Sequence, residues 1–349
     1  MRSTALATTL QRSHKLLRNA QRRLTASLVS HDRLVPLLTR LGVDTERAKI
    51  AARYDTAYYE AGHARISGHT GYGTYDREHS NADHAAYLAR SYFSAEVLLD
   101  IGCAKGHFVK AARELGLNAR GTDLSAAAIN MADESIREFL SVGALPEALD
   151  RPDSSVDLLT LFETLEHLRP QDVPAALREL RRVSRGYVLA TIPSIGRNGS
   201  GPDGWCDGKV LESRLEHYRE LGPDYNGPIP FADLAVDVEG EPVEGHLTVA
   251  SYRWWRETFE SAGFVTCDRL ERFLTYDATR FGLIEFWCTY AFRIPEATEP
   301  QEPELELTKR LEIEQNWGLV SETVPQPVLD AAIDRLTAIG VAADGTAID

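Results

Sequence analysis

The chain has 349 residues, of which 43% are hydrophobic, 26% charged and 8% aromatic. That balance excludes a collagen, a disordered polymer and a small disulfide scaffold. A net charge of −14, from 38 basic and 52 acidic residues, excludes a general polyanion binder, because phosphate contacts need clustered Lys and Arg. No run approaches the roughly 18 consecutive apolar residues of a membrane span, and the first residues lack the apolar segment of a signal peptide, so no membrane partner and a cytoplasmic location are expected.

Residues 1–53 read as a helical segment. Leu6, Leu10, Leu17, Leu24 and Leu28 recur at helical steps, with Arg18, Arg22 and Arg23 on other faces. A short helix over 35–41 stops at Gly42, and another covers 44–54 with Asp44 or Thr45 as its cap. Basic residues outnumber acidic ones here, so the acidic excess belongs to the rest of the chain. Residues 54–81 mix Tyr, Gly and His without periodicity and read as a loop or lid.

From residue 82 short apolar runs alternate with helical patterns. A helix over 82–93 leads to a strand at 97–101, a helix over 105–115, a strand at 119–124 and a helix over 126–138. A continuous apolar strand at 156–162, a helix over 174–183 and a strand at 186–192 follow. This alternation predicts βαβ units, hence a doubly wound parallel sheet with helices on both faces. Strands that are apolar throughout fit a sheet buried on both sides.

The alternation breaks at 194–245, an insertion rich in Gly, Pro, Asp and Trp, of a length that usually covers a site or makes a contact. It resumes with HLTVAS, a helix in YRWWRETFESAGF, and strands near 264–276 and 284–293, which close a domain spanning 82–294. Residues 295–306 form an acidic, Pro-rich linker, and 307–349 read as C-terminal helices, the better one over 326–339. The terminal helices are candidates for a homodimer contact. Four scattered cysteines (Cys103, Cys206, Cys267 and Cys288) include no CxxC pair and read as free thiols. No spaced cluster of metal ligands is visible, so no metal is expected.

The strongest local signal is VLLDIGCAKGHF at 97–108, an apolar strand that ends in an acid, turns through glycines and opens a helix. Glycine lets a backbone approach a ligand where a Cβ would collide, and a helix N-terminus offers unpaired N–H groups. Dinucleotide sites share this architecture, but their GxGxxG spacing would need glycine where Ala104 and His107 stand. Asp100 at the strand end suits a ligand with a charged amino group. Asp123 ends the next strand 23 residues later, where an acid can accept both hydroxyls of a ribose. An amino acid at one end and a ribose at the other describe S-adenosylmethionine.

At these residues the chain resembles the class I S-adenosylmethionine-dependent methyltransferases, in their small-molecule branch acting on sugars and natural products. The first motif matches at Asp100, Gly102, Cys103 and Gly106, with Ala104-Lys105 in place of the commoner Gly-Thr or Gly-Ser, and the second at Asp123-Leu124-Ser125. DLLTLFETLEHL at 157–168 is similar to the branch's fourth-strand signature, and HLTVASYRWWRETFESAGF at 246–264 to its segment before the last two strands. The resemblance implies a Rossmann-like sheet, mostly parallel with an antiparallel last strand. It also implies S-adenosylmethionine as cofactor and methyl transfer to a small-molecule acceptor, foremost a hydroxyl. Asp100 would receive the methionine amino group. Gly102 and Gly106 would give backbone access, with Cys103 and Ala104 lining the amino-acid end. Asp123 would hold the ribose and Leu124 pack on adenine, while Phe162 and Glu163 face the cofactor and the methyl group. The family often has an Asp after the third strand for the adenine amino group. Here Gly143-Ala144 stand there, leaving backbone groups, Glu147 or no polar group.

A hydroxyl nucleophile benefits from a base near neutral pKa. His167 and His246 are the first candidates, followed by Glu163 and Glu166, with His63, His69 and His79 in the lid; a structural histidine is the competing reading. The acceptor pocket is expected between the strand ends, the lid and the insertion. There Trp205, His217, Tyr218 and Tyr225, with Asp203, Asp207 and Glu212, would suit a polyhydroxylated or cationic molecule. Two alternatives stand beside this reading: an acceptor that is RNA or protein, for which the basic N-terminal segment is the support although nucleic acid is not expected, and a non-catalytic partner protein on the same fold.

Overall fold

The structure is a computed structural model that describes residues 40, 45–61, 76–77, 80, 82–93, 95–195, 209–221, 225–237, 240, 242–272 and 288–300. The leucine pattern of 6–28, the lid histidines His63, His69 and His79, Trp205 with Asp203, Asp207 and Cys206, and the helices expected after 307 lie outside them.

Seven strands form one sheet: β1 Val97–Ile101, β2 Asn118–Asp123, β3 Leu140–Val142, β4 Val156–Phe162, β5 Ser184–Thr191, β8 Val265–Thr266 and β9 Thr289–Arg293. Their order is β3-β2-β1-β4-β5-β9-β8. β1 to β5 run parallel, and β9 is antiparallel to both its neighbours. This is the doubly wound, Rossmann-like sheet with an antiparallel strand near its edge that the alternating pattern and the resemblance predict.

The sheet is covered on both faces because its strands alternate between two apolar clusters. Leu98 packs with α3 (Ala82–Phe93) and α4 (His107–Glu114), and Leu99 and Ile101 pack with α6 (Val173–Val183) and α8 (Tyr252–Ser261). Before the sheet, α1 (Thr45–Arg53) and α2 (Thr56–Ala61) lie near α5 (Ala126–Met131), where Tyr58 and Tyr59 pack with Ala104 and Ala128. The described part of the insertion carries α7 (Glu212–Leu221) and a small core of its own around Ile195, Val210, Tyr218, Ile229, Leu234 and Val249. It joins the domain through a two-stranded parallel ladder of β6 (Ser194–Ile195) and β7 (Ala250–Ser251).

Four stretches depart from the sequence reading. Residues 56–61, read as part of an aperiodic loop or lid, form the helix α2. The helix expected over 126–138 ends at Met131, because Asp133 Oδ1 accepts from Ser135 N and Oγ, at 2.9 and 2.6 Å, and so turns the chain locally. The strand expected over 264–276 is only Val265–Thr266; α9 (Asp268–Arg272) follows, and 273–287 lie outside the described residues. In HLTVAS only Ala250–Ser251 join a ladder, because the N–H groups of Leu247 and Thr248 are both given to the Glu166 carbonyl.

Candidate functional site

In an open α/β sheet a ligand crevice forms beyond the C-terminal strand ends, where the strand order reverses. Here that point lies between β1 and β4. Asp100 sits one residue before the end of β1, opposite Thr160 of β4, whose hydroxyl donates to Asp100 Oδ1 at 2.8 Å. Burial pushes the Asp100 carboxyl up to about 7, against the lowering effect of that hydrogen bond.

The turn after β1 is shaped by neighbouring side chains. Gly102 has φ +79°, and a Cβ there would stand 2.3 Å from Thr164 Oγ1. Thr164 is itself fixed, donating to the carbonyls of Ile101 and Phe162 at 3.1 and 3.0 Å. A Cβ on Gly106 would meet the tips of the Ile136 and Leu140 side chains within 2.8 Å, which can shift, so it is the positive φ of +77° that favours glycine here. Ala104 holds a left-handed φ of 45°, the conformation that makes glycine the usual residue there. Its strain is supported by Asp123, whose Oδ2 accepts Ala104 N at 2.8 Å while Oδ1 accepts Ser125 N at 2.7 Å. Asp123 thus ties the two turns together, and each oxygen retains acceptor capacity. Burial raises its carboxyl to about 6. Cys103 is buried behind the turn, and Leu124 is half-buried beside it. At 143, a Cβ would lie 2.4 Å from Thr122 Oγ1, so a side chain there would have to displace that hydroxyl.

Across the switch point, Phe162 packs edge-on against Phe108, 5.2 Å between centroids. Glu163 follows at φ +51°, a strained backbone for a non-glycine residue and one often found at functional sites. Its side chain is accessible, yet burial pushes its carboxyl up to about 7, with Thr191 and Lys209 pulling down and Glu244 pushing up. Glu163 directly follows the C-terminal end of β4, on the edge of the sheet where the ligand crevice lies.

Glu166 lies at the bottom of the next turn, fully buried, with neither carboxylate oxygen hydrogen-bonded. Burial and then Glu163 push its carboxyl well above the usual range. His167 Nδ1 lies 3.0 Å from the Gly245 carbonyl and 3.0 Å from Tyr54 Oη. With the proton on Nδ1 the ring donates to that carbonyl, and Nε2 faces Glu166 Oε1 at 3.8 Å. The pair of hydrogen bonds from Leu247 and Thr248 to the Glu166 carbonyl docks the chain after the insertion against this turn, and His246 arrives with its ring 5.1 Å from that of His167. One ligand atom each from Glu166, His167 and His246 falls within 4.8 Å of the others. Lys209, buried, pairs with Glu244 at 2.9 Å on the same side.

The sequence reading therefore named Glu163, Glu166, His167 and His246 singly, and the structure brings them together. It did not anticipate a cluster of metal-ligand type, because His246 is 79 residues from His167 and no local spacing marks it. Tyr54, Lys209 and Glu244 were missed for the same reason. Two residues expected at the acceptor are used otherwise: the Tyr218 hydroxyl donates to Asp233 at 2.7 Å and that of Tyr225 to the Pro228 carbonyl at 2.7 Å, inside the small core of the insertion. His217 and Glu212 are exposed on α7.

The profile of a family described as a methyltransferase domain matches residues 74–267, more than half of the chain. Among curated proteins, the ubiquinone biosynthesis O-methyltransferase of Cupriavidus pinatubonensis is 36% identical over 101 residues, covering 27% of this chain and 41% of that protein. The malonyl-[acyl-carrier protein] O-methyltransferase of Serratia marcescens is 31% identical over 112 residues, covering 32% and 43%. The chain thus spans less than half the length of these relatives. Among solved structures, magnesium protoporphyrin IX methyltransferase from Synechocystis, with S-adenosylhomocysteine bound, gives a TM-score of 0.38 at 13% identity over 62% of this chain and 83% of that one. Over residues 74–267, the chain belongs to the methyltransferase-domain family, whose members of this class take S-adenosylmethionine as methyl donor.

Proposed function

We propose that the protein transfers the methyl group of S-adenosylmethionine to a hydroxyl oxygen of a small molecule. The observation that carries this reading is the pair of buried carboxylates on neighbouring strand ends, Asp100 of β1 and Asp123 of β2, with Glu163 just after the end of β4 on the other side of β1. The residues fit the cofactor: Asp100 has one side-chain hydrogen bond and a low-dielectric setting suited to an ammonium group, and Asp123 keeps acceptor capacity for ribose hydroxyls after pinning the turn.

The bound cofactor supplies a sulfonium-activated methyl. The protein's share is to hold the acceptor oxygen in line with it, a positioning effect worth about 7–11 kcal/mol at best, and to take the hydroxyl proton. Glu163 carries that second task, since its carboxyl is pushed up to about 7 and it follows the C-terminal end of β4. The acceptor oxygen gains the methyl, the S–CH3 bond breaks, and the proton passes to Glu163. Glu163, Glu166 and Glu244 surround Lys209 with acidic groups, so this wall offers no cluster of cations for a phosphate backbone, which supports a small acceptor over RNA. The two curated relatives named above are O-methyltransferases, which supports oxygen as the methylated atom.

Calorimetry with S-adenosylhomocysteine tests the cofactor half. Binding is expected, weakened about 10–100-fold by Asp100→Asn, the worth of one charge-assisted hydrogen bond. No heat with the wild-type chain, or equal affinity in the variant, would sink the proposal. Release of S-adenosylhomocysteine over a panel of phenols, sugars and hydroxy acids, set against amines and thiols, tests the acceptor half. Turnover only on amines or thiols would replace oxygen as the target.

A further inference from the structure

We propose that Glu166, His167 and His246 form a binding site for one divalent first-row metal ion of the zinc or iron type. Two imidazoles and one carboxylate are the donor set that such ions prefer, whereas Mg2+ and Ca2+ favour oxygen alone.

Four observations carry the site. The three side chains, from the turn after β4 and from the chain just after the insertion, offer one ligand atom each within 4.8 Å of one another. Ligands of a single ion with bonds of about 2.1 Å stand at most about 4.2 Å apart, so closure needs only small side-chain movements. Glu166 is fully buried and both its oxygens lack hydrogen bonds, a costly state that a bound cation relieves. His167 Nδ1 lies 3.0 Å from the Gly245 carbonyl, the outer contact that a histidine ligating through Nε2 uses to orient its ring. The surrounding groups favour positive charge: Glu163 and Glu244 add two carboxylates, and Lys209 is the cation that faces them.

Glu163 stands three residues from Glu166 and is close enough to raise its carboxyl. An acceptor oxygen bound to the cation would lose its proton to Glu163 more readily, because a Lewis acid lowers the pKa of a coordinated hydroxyl. That role rests on the function proposed above; the binding of the ion does not.

The test uses the full chain, stripped with a chelator and titrated with Co2+ as a spectroscopic probe. One ion per chain is expected, displaced by Zn2+, with visible absorption of a nitrogen- and oxygen-ligated centre. Glu166→Gln and His246→Gln should each weaken uptake more than tenfold while S-adenosylhomocysteine still binds. Glu166→Gln exchanges a buried carboxyl, held protonated by its surroundings, for an amide of the same shape and should leave the melting temperature of the metal-free chain nearly unchanged, so it remains informative if the histidine variant fails to fold. X-ray absorption on the zinc-loaded protein should show two imidazole nitrogens. Absence of uptake, uptake undiminished in Glu166→Gln, or a different ligand set would overturn the inference. S-adenosylhomocysteine binding without metal uptake overturns this site and leaves the methyl-transfer reading standing; the reverse result does the opposite.

Discussion

A β-carbon at position 102 would press into Thr164, whose hydroxyl is held by two carbonyls and cannot turn away without losing both bonds. Gly102→Ala should therefore cost about 2–4 kcal/mol, part from the left-handed backbone and part from overpacking. In a Thr164→Ala background the second part disappears, so urea denaturation should show the double variant more stable than the sum of the single changes by about 1 kcal/mol. A strictly additive cycle would mean that backbone strain alone requires the glycine. At this scale the sequence was readable where one residue type answers one local demand. Asp100 and Asp123 are acids at strand ends, and the spacing of Gly102 and Gly106 discriminates between nucleotide ligands. Partners far along the chain were not readable. The Thr160 hydroxyl that meets Asp100 is 60 residues away, and the crowding of Gly143 against Thr122 is visible only once β2 and β3 are paired.

Between elements, one hydroxyl links a helix cap in the domain to the backbone of the N-terminal pair of helices, beside the packing of Tyr58 and Tyr59. Ser125 accepts from Ala128 N at 3.1 Å, capping α5, and donates to the Tyr54 carbonyl at the junction of α1 and α2. The Tyr54 side chain then reaches His167, so this cap helps to set the wall of the site. Ser125→Ala should lower stability by about 1–2 kcal/mol, and should expose the 45–61 segment to proteolysis before the domain unfolds. Ser125→Thr, which keeps both bonds, should show neither effect. If Ser125→Ala destabilises the chain with no change in cleavage of that segment, the cap matters but the tether does not. The elements that sequence periodicity found, such as α3, β1 and β4, are those whose apolar pattern is fixed by burial alone. The early end of α5 at Asp133 was hidden because a short polar side chain competes with the helix for backbone N–H groups, and a helical pattern of apolar residues does not report that competition.

For the molecule as a whole, carboxylates are buried in the β1–β4 crevice, and this fixes the sign of its pH response. Asp100 and Asp123 titrate near 7 and 6 in the fold, against about 4 when unfolded. Between about pH 4 and pH 7 the native state thus binds more protons than the unfolded chain, and stability must fall as pH rises through that window. The contribution is complete below pH 4 and lost above 7. Other groups titrate in the same range, so the measurement is the difference in melting temperature between wild type and Asp100→Asn, followed from pH 5 to pH 8. Wild type should lose ground to the variant as pH rises, by an amount on the order of a few kcal/mol at most. With saturating S-adenosylhomocysteine the slope should flatten, because the ligand's ammonium favours the ionised Asp100 and its affinity grows as pH climbs. A difference that stays level across the window, with and without ligand, would mean that Asp100 is ionised throughout and that the crevice is wet enough to solvate it.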